Sequence, residues 1–148
     1  MTSQISLELP PGWLKRADPD TGVAVRSRPR RHHADGVPPE IVVRSRPVED
    51  GLAEWRRETL DALARQLDRF EVEDEDSYDL GMQRVHYHRF GHRLGVAELI
   101  TEQWSWLVDG LGVTLTCTVA RQDYAAYCDL FEDVAATVEV RPALNAAG

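Results

Sequence analysis

The sequence predicts an α+β fold in which an antiparallel sheet of about six to eight strands carries packed helices. Three observations carry this. Met82 to Phe90, Val96 to Trp106 and Leu111 to Val119 are successive strand-like stretches, the last two with period-two alternation. Asp109-Gly110, a strong two-residue hairpin signal, separates the last two stretches. Two further stretches repeat apolar residues at the three-to-four spacing of a helical face.

In chain order, Ile5 to Leu9 reads as a short strand stopped by Pro10-Pro11-Gly12, ahead of Trp13. Val23 to Ser27 and Ile41 to Arg46 are the next strands. The breaker-rich run from Arg28 to Pro39 between them is expected to be a mobile loop. The first helix is marked by Leu52, Trp55, Thr59, Leu60, Leu63 and Leu67, with Asp50 as its expected N-cap. An acidic segment, Glu71 to Asp76, leads to a turn at Asp79-Leu80-Gly81. Gly91 to Gly95 forms the loop between the first two of the three long strands. The second helix, capped by Asp123, buries Tyr124, Tyr127, Leu130, Phe131, Val134 and Val138, and residues 141–148 read as a frayed tail.

Hairpin geometry turns these elements into a register. A two-residue turn at Asp109-Gly110 sets Trp106 opposite Val113, Trp104 opposite Leu115, Glu102 opposite Cys117 and Ile100 opposite Val119. A loop symmetric about Arg93 sets Phe90 opposite Val96, His88 opposite Glu98, His86 opposite Ile100 and Arg84 opposite Glu102. All of these then share one side of the sheet with Met82, and that side should pack on a helix. The opposite side carries Gln83, Arg89, Thr101, Gln103, Ser105, Thr114, Thr116 and Thr118. A single bulge would invert part of this assignment.

Length and composition bound the function. A chain of 148 residues suits a single domain, and 43% hydrophobic content is enough to fold it rather than leave it disordered. The net charge of −8 argues against nucleic acid as the main partner, because phosphate backbones are bound by clustered Lys and Arg. No apolar run approaches the roughly 20 residues of a membrane span. Met1-Thr2-Ser3-Gln4 lacks the charged-then-apolar build of a signal peptide, so a cytoplasmic location is expected. Cys117 and Cys128 read as small buried hydrophobes rather than a disulfide.

The order of elements, with the strand ending Leu9-Pro10-Pro11-Gly12-Trp13, the helix after the early strands, the long antiparallel meander and the terminal helix after Leu115-Thr116-Cys117-Thr118-Val119, resembles the PsbP/Mog-like family. That family includes photosystem II extrinsic proteins, LpqN-type lipoproteins and chaperones of type VI secretion effectors. The resemblance implies a curved antiparallel sheet with helices on it, and a binding or adaptor role rather than catalysis. It carries no catalytic residues over. The lipid-accepting Cys of the lipoprotein branch has no counterpart near the N-terminus.

Two groups of residues are candidates for binding. Arg84, His86, His88, Glu98 and Glu102 would converge on one sheet face, where His86 and His88 form a His-x-His pair with His92 near. As a metal site this set is short of the three or four supported ligands that zinc takes. The plainer reading is a cross-strand polar cluster in which Glu98 neutralises His88 and Glu102 pairs with Arg84. Arg28, Arg30 and Arg31 belong to the one basic run. It would steer an acidic partner, or lie solvated and facing Glu71 to Asp76 of the same chain. Trp104 and Trp106 belong to the core rather than to a binding platform. No GxSxG elbow, GxGxxG or phosphate-loop motif occurs. The expected function is that of a non-enzymatic protein-binding module without cofactor, possible as a homodimer through a free strand edge. The alternative is a small-ligand or metal-binding domain using the His/Glu/Arg cluster. An enclosed pocket at that cluster would favour the alternative, and a flat wet sheet the first reading.

Overall fold

The computed structural model describes residues 4–18, 22–31 and 37–141. Its elements are β1 (Gln4–Ser6), β2 (Trp13–Asp18), β3 (Val23–Pro29), β4 (Glu40–Pro47), α1 (Leu52–Gln66), β5 (Asp68–Leu80), β6 (Gln83–Leu94), β7 (Ala97–Val108), β8 (Leu111–Ala120), a single 3-10 turn (Arg121–Asp123), α2 (Tyr124–Ala136) and β9 (Glu139–Arg141). Seven strands form one antiparallel sheet in the order β2-β3-β4-β8-β7-β6-β5, and β1 pairs with β9 in a small second sheet.

The expected α+β architecture is the observed one. The β7–β8 hairpin has the predicted register, with Trp104 opposite Leu115 and Trp106 opposite Val113. Asp109 and Gly110 both take positive φ, 48° and 78°, which matches strand twist in a two-residue turn. Trp104 and Trp106 are each 1% exposed. They share a core with Ile41, Val43, Val85, Val113, Leu115, Cys117, Val119 and, from α2, Phe131 and Val134. Tyr127 stacks on Phe131 at 5.9 Å and is half-buried. Val138 packs on this core from just beyond the helix end.

The β6–β7 hairpin differs from expectation. Strand β6 runs on through the supposed loop to Leu94, and the turn falls at Gly95-Val96. Tyr87 therefore faces Trp104, His88 faces Gln103 and Arg89 faces Glu102. The displacement is an odd number of residues, so it exchanges the two faces of β6. Val85 and Tyr87 join the Trp104 side, while Phe90 leaves it and packs against Phe70 at 5.0 Å. Met82 and Val96 sit in turns, almost fully exposed, not in the core.

Three strands were not anticipated. Strand β5 occupies the acidic segment expected to lead only to a turn at Asp79-Leu80-Gly81. As an edge strand it is exposed along most of its length, so it needs no apolar alternation. Strand β2 follows Trp13 as the opposite edge. Strand β9 takes Arg141 out of the expected tail, whose residues 142–148 lie outside the described ones. The first strand is shorter than expected: Leu7 and Leu9 pack on the core without belonging to it. Arg28 lies in β3, and residues 32–36 of the expected loop are outside the description.

Helix α1 has Gly51, not Asp50, in the capping position. It covers the side of the sheet opposite α2, where Trp55 sits over Gly112. Asp123 does precede α2, without a side-chain capping bond. The sheet is thus sandwiched between an apolar α2 side and an α1 side of Thr, Gln, Ser and His. Cys117 is fully buried, and Cys128 is half-buried on α2.

Candidate functional site

The five-residue cluster is split by the β6 register. Arg84, His86 and His88 lie on the α1 side, while Glu98 and Glu102 alternate onto the α2 side. Arg84 pairs with Asp79 on β5 at 3.3 Å, and Glu98 pairs with Arg93 at 3.3 Å. Neither expected pairing, Glu98 with His88 or Glu102 with Arg84, forms. His92 Nε2 meets the Thr101 hydroxyl at 2.8 Å. Among the described residues, no group of three His, Cys, Asp or Glu side chains is placed to hold a metal ion.

The basic run is also resolved into parts. Arg26 and Arg28 both bind the Glu40 carboxylate, at 3.0 and 2.6 Å, and Arg30 and Arg31 are exposed beyond β3. The acidic segment they were expected to face lies at the far end of the sheet, on β5. Sheet order, invisible to local pattern, separates them.

On the α2 side, the Tyr87 hydroxyl donates to Glu102 Oε2 at 2.5 Å. Glu102 is 5% exposed, its Oε1 has no hydrogen-bond partner, and burial holds its carboxyl above the usual range. A cleft of about 540 Å³ opens here between α2 and β5, lined by Tyr78, Tyr87, Arg89, Glu102, Tyr124 and Glu132 among others. Arg89 lies over the Tyr124 ring and within 3.8 Å of Glu73. Glu73 also pairs with Arg121, tying the start of α2 to the β5 edge.

On the α1 side a second cleft, of about 520 Å³, lies between the helix and strands β4 and β8. Its deepest charge is Arg56, 1% exposed, which sequence reasoning missed. A signal was present: Arg56 stands four residues after Leu52 and four before Leu60, inside the apolar stripe. Its Nη2 donates to Gln103 Oε1, and Gln103 Nε2 in turn donates to Thr116 Oγ1 at 3.0 Å. Nearby on this face His88 is 5% exposed, with Nδ1 unpartnered and Nε2 3.6 Å from Glu75.

Burial, and then the positive charges of Arg56 and His86, depress His88 from 6.5 to about 4. The folded state therefore resists a proton that the unfolded chain accepts near pH 6.5. This contribution to stability is complete above pH 6.5 and is lost as pH falls from 6.5 towards 4. Wild type is expected to lose more stability than His88→Asn between pH 7 and pH 4.5, by urea unfolding at each pH. Parallel losses would contradict it.

No family model matches the sequence, and no curated protein matches it. Solved structures do. LpqN of Mycobacterium tuberculosis, described as involved in cell envelope biogenesis, superposes with a TM-score of 0.75 at 12% identity, covering 95% of this chain and 85% of LpqN. A protein of unknown function from Pseudomonas aeruginosa gives 0.67 at 12% identity, covering 96% of this chain and 85% of that one. Cyanobacterial PsbP from Synechocystis gives 0.64 at 15% identity, covering 93% and 92%. The fold expected from element order is thus confirmed: the chain has the PsbP- and LpqN-like fold.

Proposed function

We propose that this chain is a non-enzymatic binding module whose partner is another protein, engaged by strand addition along β5. The observation that carries this is the edge itself. Strand β5 spans 13 residues at the end of the sheet order, so no described strand pairs with its outer side. It displays Asp68, Glu71, Glu73, Asp74, Glu75, Asp76 and Asp79 against a single Arg69. An open strand edge offers main-chain hydrogen bonds to an extended segment, and charge selects which segment pairs. The occupant this edge favours is a basic extended segment.

Self-association is a second reading, supported by the opposite edge. Strand β2 carries Lys15 and Arg16, beside Arg26 and Arg28 of β3. Two β5 edges repel, whereas β2 of one copy complements β5 of the next. That contact is head-to-tail, not a closed two-fold dimer.

The test reverses charge at two exposed positions, Glu71→Lys with Asp74→Lys. Native pull-downs with wild type should return a partner that the variant loses, while circular dichroism stays unchanged. Light scattering after size exclusion should show a monomer for the variant if copies associate through β5. Recovery of the same partner by a folded variant would end the β5 reading.

A further inference from the structure

The α1-side cleft stands apart from the β5 edge and carries an inference of its own. In a chain of net charge −8, it is lined by Arg44, Arg46 and Arg56 against one carboxylate, Glu58. Arg44, Arg46 and Glu58 are exposed, whereas Arg56 is all but sealed from solvent at 1% exposure. Buried guanidinium groups are normally matched by a carboxylate, because the lost hydration is otherwise uncompensated. Arg56 has none. One nitrogen, Nη2, rests on the neutral amide oxygen of Gln103, and the Trp55 ring lies 5.6 Å from its guanidinium carbon. Nε and Nη1 have no partner. Gln103 is itself anchored on Thr116, so the guanidinium is held in place by its one bond while its other donors stay unspent.

We propose that this cleft binds a small organic oxyanion, a carboxylate or a phosphate ester, whose charged group accepts from the Arg56 guanidinium donors that Gln103 leaves free. A guanidinium stays charged and offers charge-assisted N–H donors that suit either group. The exposed Arg44 and Arg46 draw the anion towards the mouth. A volume of about 520 Å³ exceeds what inorganic phosphate fills and lies in the range of small-molecule sites, so the ligand carries an organic body. Trp55, Ala62 and Leu63 offer that body an apolar wall. The structural alternative, in which Arg56 serves only to hold Gln103, leaves the unspent donors without a reason.

The probes are benzoate, phenyl phosphate and inorganic phosphate, each titrated calorimetrically into the full chain at constant ionic strength. Benzoate or phenyl phosphate is expected to saturate one site and raise the melting temperature, and the tighter of the two identifies the headgroup. Inorganic phosphate should bind more weakly than phenyl phosphate. Arg56→Met should weaken the tighter probe on the order of tenfold or more, the scale of charge-assisted hydrogen bonds lost. Without probe, the same variant should melt no lower than wild type, since it removes a buried charge that nothing neutralises. If Arg56→Met does not fold, the exposed pair Arg44→Gln with Arg46→Gln carries the test, and should weaken the tighter probe several-fold. No binding by either organic probe up to about 10 mM, or unchanged affinity in the folded variants, would overturn the assignment.

Discussion

Trp106→Ala is expected to cost about 3–5 kcal/mol, the range for removing a large aromatic side chain from a packed core. Trp106 is 1% exposed and belongs to the cluster that joins β4, β6, β7 and β8 to α2. Val113 stands opposite it, and the same cluster holds Val85, Phe131 and Val134, from two further elements. They cannot all move in to close the cavity, because each is fixed by its own strand ladder or helix. Domains are stable by about 5–15 kcal/mol in all, so the variant should be on the verge of unfolding at ambient temperature. Urea unfolding followed by circular dichroism measures this directly. The midpoint should fall steeply with little change in slope, since the surface exposed on unfolding is nearly the same. A loss below about 1 kcal/mol would mean that Trp106 is not the core residue its burial indicates.

Legibility in the sequence followed burial. The β7–β8 hairpin could be read residue by residue because Asp109-Gly110 fixes both turn length and handedness, and because Trp104, Trp106, Val113 and Leu115 alternate cleanly. The β6–β7 hairpin could not. Gly91 and Gly95 both offer a turn, and the central Gly91-His92-Arg93-Leu94 has no alternation to choose between them. Only pairing across the sheet places Tyr87 beside Trp104. The error of an odd number of residues then carried Glu102 to the wrong face relative to His86 and His88, and with it the candidate site. Edge strands β2 and β5 were illegible for a different reason: a strand exposed on both faces has the composition of a loop.

The two faces also differ in what their polar groups cost. On the α2 side, Glu102 accepts from the Tyr87 hydroxyl, and burial raises its carboxyl above the usual range. On the α1 side, beside His88, the buried ionisable group is Arg56. Burial lowers it only to about 10, so it stays charged at neutral pH. Each side of the sheet thus buries an ionisable group that is incompletely bonded, Glu102 at Oε1 and Arg56 at Nε and Nη1. Of the two, Arg56 is the cation, and Arg44 and Arg46 line the same cleft, which is why an anion site is proposed under α1.

Gly112→Val is expected to destabilise the chain by about 1–3 kcal/mol or more, through overpacking rather than a cavity. Gly112 lies on β8 directly beneath α1. A Cβ there would stand 2.5 Å from Val48 Cγ2 and 2.8 and 2.9 Å from two ring carbons of Trp55. Val48 and Trp55 are 8% and 3% exposed, so neither side chain has open space to retreat into. Val48 is further pinned by its N–H bond to the Gly110 carbonyl at 2.8 Å. Trp55 must therefore yield, and the neighbouring Arg56 guanidinium rests near its ring. The consequence links packing to binding: even Gly112→Ala should weaken the anion probes while leaving Arg56 in place. Adding Trp55→Leu to Gly112→Ala makes room for the new methyl. The double variant should then be more stable than the sum of the two single losses allows, because the sites share one contact. Urea unfolding of the four proteins gives the coupling, and strict additivity would show that Trp55 does not rest on Gly112.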